Sequence, residues 1–157
     1  MEIKTEKVTK LVLSKIDKLD PVTVFAEDIC PKQGKITITC YGEAWTAYFG
    51  SIGEGGVADF ICSCDESYLA GKLSDIPSNI PDIDAIRKQA EDKGIECWRD
   101  DPWNDYEFLS EMYGPDMMEW SDSLPKKKNH KYTYLCRIIK AVQDALKMQS
   151  GTAQDNN

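Results

Sequence analysis

The stretch Gly34–Leu73 constrains this chain most. Within GKITITCYGEAWTAYFG, Ile36, Ile38 and Cys40 alternate with Thr37, Thr39 and Tyr41. After a tight connection at Gly42-Glu43, Trp45, Ala47 and Phe49 alternate with Thr46 and Tyr48. Period-two alternation reads as strands with one face on a core, and so short a connection makes them antiparallel neighbours. Gly50–Gly56 then holds four glycines, a loop that takes the chain off the sheet. From Val57 the period changes: Val57, Phe60, Ile61, Cys64, Tyr68 and Leu69 recur at helical spacing, with Gly71 near the stop. This predicts one helix over the stretch.

The flanks extend the pattern. Val8–Leu19 fits either a helical stripe or a strand with Leu11 and Leu13 on one side; the strand reading is preferred, with a turn at Lys18–Pro21. VTVFAE, Val22–Glu27, is β-branched and aromatic, and so a strand. Downstream, Ser74–Pro81 is a breaker-rich link, and Asp82 caps a helix that ends at Gly94. Ile95–Trp98 reads as a short strand. Asp101-Pro102 reads as N-cap and first turn of a helix to Tyr113, with a further helical turn around Met117–Trp120. Ser123–Lys131 is an exposed basic loop. Asn129 caps a last helix with an apolar stripe of Leu135, Ile138, Ile139, Val142, Ala145 and Leu146. The expected fold is α+β: an N-terminal antiparallel meander of three to five strands packed against three to five helices. The expected organisation is one domain over 1–149 and a disordered polar tail over 150–157.

Charge and cysteines narrow the function class. A net charge of −8 disfavours direct nucleic-acid binding, which needs a basic surface, and docking on anionic membranes. It fits solubility or a basic protein partner. No apolar run approaches the roughly 20 residues a membrane span needs. The six cysteines, with no secretory leader before them, fit reduced thiols in a cytoplasm.

Three motifs invite chemistry and lack its remaining parts. On one helix Cys62 and Cys64 sit about 200° apart, so they cannot share a metal, with Cys64 directed to the core. His130, the only histidine, lies among lysines with no nucleophile elbow in the chain. The glycine loop before Val57 suits a phosphate at a helix N-terminus, but Glu54 repels one and no P-loop lysine follows. No catalytic, metal or cofactor site is therefore expected. The distinctive surface is Arg99–Asp122, with eight acids against one base, interleaved with aromatics and Met112, Met117 and Met118. Acid with aromatic and methionine is an interface composition. The expected partner-binding residues are Asp100, Asp101, Trp103, Asp105, Tyr106, Glu107, Glu111, Tyr113 and Trp120.

GKITITCYGEAWTAYFG, DFICSCDESYLAGKL and DDPWNDYEFLSEMYG together resemble small accessory proteins carried by tailed phages and prophages of enteric bacteria. That resemblance covers most of the chain and brings no catalytic residues. It implies a bacterial cytoplasm and a non-enzymatic protein that binds and modulates a host or phage protein, with host defence or nucleic-acid processing as its target. The alternatives are an acidic DNA mimic and a small metal-dependent enzyme using Asp100, Asp101 and Asp105.

Overall fold

The computed structural model describes residues 1–5, 7–97, 99–116, 120 and 122–154. It has two compact units, Met1–Ile76 with Lys131–Asn157, and Pro77–His130. The larger unit is built on a four-stranded antiparallel meander in sequence order, β1 (Thr9–Leu13), β2 (Val22–Cys30), β3 (Gln33–Cys40) and β4 (Glu43–Phe49). The preferred strand reading of Val8–Leu19 holds for Thr9–Leu13.

Register explains the core. Val24 lies across from Ile38 and Ile38 from Trp45, while Ala26, Ile36 and Ala47 form the next row. These rows carry the buried face, and Val22, Val24, Ile36 and Ile38 are at most 1% exposed. The opposite face carries Thr37 and Thr46, whose hydroxyls meet at 3.0 Å, and a Lys35–Glu27 pair at 2.7 Å. One buried and one solvated face is what alternation encodes. The β3–β4 turn is Tyr41-Gly42, with φ of 48° and 83°. Positive φ at both central residues is the I′ geometry that matches strand twist.

The buried face is covered by α1 (Gly56–Ser63), α2 (Glu66–Leu73) and α5 (His130–Gln154), whose Leu135, Ile138, Ile139, Val142 and Leu146 join the same cluster. α1 packs tightly on β3, since a Cβ on Gly34 would lie 2.6 Å from the Val57 Cβ. Two helices replace the single helix expected from Val57 to Gly71. Cys64 is extended, and the Asp65 carboxylate accepts from the Tyr68 amide at 2.7 Å, starting a new helix. The Ser67 hydroxyl and then the Tyr68 amide, both donating to that carboxylate, lower its pKa. Gly71 lies inside α2, which ends at Leu73. α5 runs to Gln154, past Ser150.

The smaller unit has its own core of Ile86, Ala90, Phe108, Leu109, Met112 and Trp120. α3 (Ile83–Lys93) begins at the Asp82 cap and ends at left-handed Gly94, as the sequence predicts. Three segments differ from expectation. The breaker-rich link contributes β5 (Asn79–Pro81), and the basic loop contributes β6 (Lys126–Lys128), which pair antiparallel. Lys127 is held there by Asp82 at 3.3 Å and Asp84 at 3.7 Å. Ile95–Cys97 is irregular rather than a strand, while Trp98 lies outside the described residues.

Candidate functional site

The acidic-aromatic run is displayed by the smaller unit. Its first part is a 3-10 turn, Pro102–Asn104, followed by α4 (Tyr106–Tyr113). The expected single helix from Pro102 is thus broken at Asp105, and the cap moves with the break. Asp101 makes no side-chain cap to the backbone and instead accepts from the Asn104 amide group at 3.1 Å. Asp105 caps α4 by accepting from the Phe108 amide at 3.2 Å, and it pairs with Arg99 at 2.8 Å. A carboxylate at a helix N-terminus satisfies orphan amides and the helix dipole. Asp105 is therefore occupied within the fold. Asp100 is fully exposed, 3.7 Å from Arg87.

α4 sorts the remaining residues. Phe108, Leu109 and Met112 face the core, while Glu107 and Glu111, one turn apart, face solvent. Beside these acids lies a depression of about 510 Å³ lined by Gly94, Ile95, Glu96, Asp105, Glu107, Phe108 and Glu111. Four carboxylates thus surround a partly apolar floor.

The rings divide by exposure. Tyr106 is 53% exposed and Trp120 only 5%. Their ring centroids are 5.2 Å apart, and the Trp120 indole donates to the Gly114 carbonyl at 2.6 Å. Trp120 is the buried support and Tyr106 the ring presented to solvent. Trp103 is half-buried. Tyr113 is half-buried with its hydroxyl on Gln89 at 2.7 Å and the Lys93 ammonium 5.5 Å from its ring centre. Burial raises the Tyr113 pKa. Asp116 and Asp122 are exposed, and Trp120 is helical. Met117, Met118 and Glu119 lie outside the described residues.

The other motifs have structural explanations. Cys62 sits in the last turn of α1 and Cys64 just past its end, so helix termination separates the thiols rather than two faces of one helix. Both are half-buried, and desolvation raises their pKa, as it does for Cys136. All six cysteines are free thiols. His130 is exposed at the start of α5. At the glycine loop, the N-terminus of α1 is met by a carboxylate of the chain itself: Asp28 accepts from the Val57 amide at 2.7 Å. That bond takes one of the amide donors an external phosphate would use, and the carboxylate repels a second anion there. Among the described residues, no group of three or more His, Cys, Asp or Glu side chains is placed to hold a metal ion, and no helix is long and apolar enough to cross a membrane.

Sequence reasoning missed Asp28, Gln143 and the Tyr106–Trp120 stack. Asp28 falls at a β-bulge between Asp28 and Cys30, and Gln143 interrupts an apolar stripe. A polar residue at a core position of a helix is the one signal that could have pointed to Gln143. A family model described as a phage family matches residues 1–148. No curated protein and no solved structure matches the chain.

Proposed function

The chain belongs to this phage family, and from that premise we propose a non-enzymatic accessory protein that acts in the cytoplasm of the bacterial host. It binds a host or phage protein through the acidic surface of the smaller unit. The observation that carries this reading is the segregation of charge. Pro77–His130 holds thirteen acids and seven bases, a net −6 of the chain's −8. On that unit α4 exposes Tyr106, Glu107 and Glu111 to solvent. An exposed ring and exposed carboxylates on one helix suit a partner with lysine or arginine near an apolar patch, and long-range charge speeds the encounter. Asp100 and Asp101 contribute to the field. Asp105, Tyr113 and Trp120 hold the surface in shape, with Trp103 at its margin. A partner that processes nucleic acid fits, a host-defence nuclease included, because proteins that bind nucleic acid carry basic surfaces.

The test is affinity capture from host lysate with the wild type, Tyr106→Ala and the double reversal Glu107→Lys/Glu111→Lys. The wild type should retain a protein with a basic surface, less of it as salt rises. Tyr106→Ala should weaken retention about tenfold, and the reversal should abolish it. Equal capture of the same protein by all three would refute the surface assignment.

A further inference from the structure

We propose that the free edge of β1 pairs with β1 of a second copy about a two-fold axis through Val12, making a symmetric dimer. β1 is an outer strand of the sheet, hydrogen-bonded on one side to β2. An outer strand offers unpaired amides and carbonyls to another strand. Val12 is 64% exposed and Val8 43%, so apolar side chains stand at this edge without cover. Next to it lies a groove of about 600 Å³, its apolar part formed by Val12, Leu13, Ile16, Leu19, Ala145 and Met148, the last 73% exposed, with Asp17, Arg137, Lys140 and Asp144 also lining it.

Charge selects the occupant and the register. In a symmetric antiparallel pair the axis passes through a residue, because directly opposed side chains share a face. An axis at Lys10 opposes two lysines. An axis at Leu11 sets Lys7 against Lys15 and Lys4 against Lys18. An axis at Val12 pairs Leu11 with Leu13 and Val12 with its own copy. Carried outward it brings Val8 beside Ile16, Lys7 beside Asp17 and Lys4 beside Asp20. The segment before β1 in each copy therefore meets the segment after β1 in the other with apolar against apolar and plus against minus. Beyond Ser14 the strand geometry ends, since Lys15 and Lys18 have φ of 59° and 54°. There the match is between facing segments rather than ladder partners. Ile16 and Leu19 line the groove, so Val8 of the second copy comes to its rim. Arg137 holds the Asp17 and Lys18 carbonyls at 3.1 and 3.0 Å, which fixes that segment before any partner arrives.

Sedimentation equilibrium on the full chain tests the proposal. The wild type should show a reversible dimer. Val12→Lys sets two ammonium groups face to face and should weaken it about tenfold or more. Its monomer should keep the wild-type circular dichroism, because Val12 is exposed. Lys7→Asp should weaken association similarly, and Lys7→Asp/Asp17→Lys should restore it. A wild type that stays monomeric, a Val12→Lys dimer as tight as wild type, or a charge swap that restores nothing would each overturn the proposal.

Discussion

Gln143 shows how one polar side chain can join two helices. It is 3% exposed, yet its amide nitrogen donates to the Ile61 carbonyl at 2.8 Å and the Cys64 carbonyl at 2.7 Å. Its own backbone carbonyl accepts from the Cys62 thiol at 3.6 Å. The last carbonyls of α1 have no partner within that helix, and the α5 side chain supplies one. Gln143→Leu keeps the volume and removes both donors. It should lower stability by about 1–3 kcal/mol, the cost of leaving buried acceptors bare. Urea unfolding followed by tryptophan fluorescence reads this, and an unchanged midpoint would dismiss the role. At the same scale Tyr106 and Trp120 look alike in sequence but differ in exposure, because only the indole N–H finds a carbonyl inside. No local pattern distinguishes such rings; tertiary packing does.

At the scale of elements, the β3–β4 hairpin is held by a turn whose first residue fits it poorly. Tyr41 adopts φ of 48° with its ring 86% exposed. The left-handed region disfavours a bulky residue, and asparagine tolerates it. Tyr41→Asn should raise stability by about 0.5–1 kcal/mol, visible as a higher thermal midpoint. A lower midpoint would mean that the tyrosine ring makes a contact worth more than the backbone strain. The meander was legible because its alternation spans whole strands and faces a single core. The division of the Val57 helix was not, since the apolar period runs through Cys64 and only the Asp65 cap interrupts it. β5 and β6 were hidden for a different reason. Three-residue strands of Asn-Ile-Pro and Lys-Lys-Lys are too short to show alternation and hold one strand former, Ile80, between them, while Asp82 and Asp84 offset the charge of Lys127. The candidate site was legible in composition, but not in which acids the fold itself uses: Asp105 became a cap, while Glu107 and Glu111 stayed outward.

The whole molecule has one large core and one small one. Among the described residues, nineteen buried ones form the cluster under the sheet, against six in the smaller unit. Fewer buried apolar contacts mean cheaper local opening. Amide hydrogen exchange should therefore be at least about tenfold faster across α3 and α4 than across β2 and β3. Equal protection would show that the two units open together. The larger unit also takes its sequence from both sides of the smaller one: its sheet precedes Pro77, and its closing helix follows His130. On the ribosome this order matters. Pro77–His130 emerges whole before α5 exists, so the smaller unit can finish folding while the cluster under the sheet still lacks Leu135, Ile138, Ile139, Val142 and Leu146. Synthesis passes through a stage in which α1 and α2 alone cover the apolar face of the sheet and the β1 edge is open, where a nascent chain is most exposed to chaperones and to neighbouring chains.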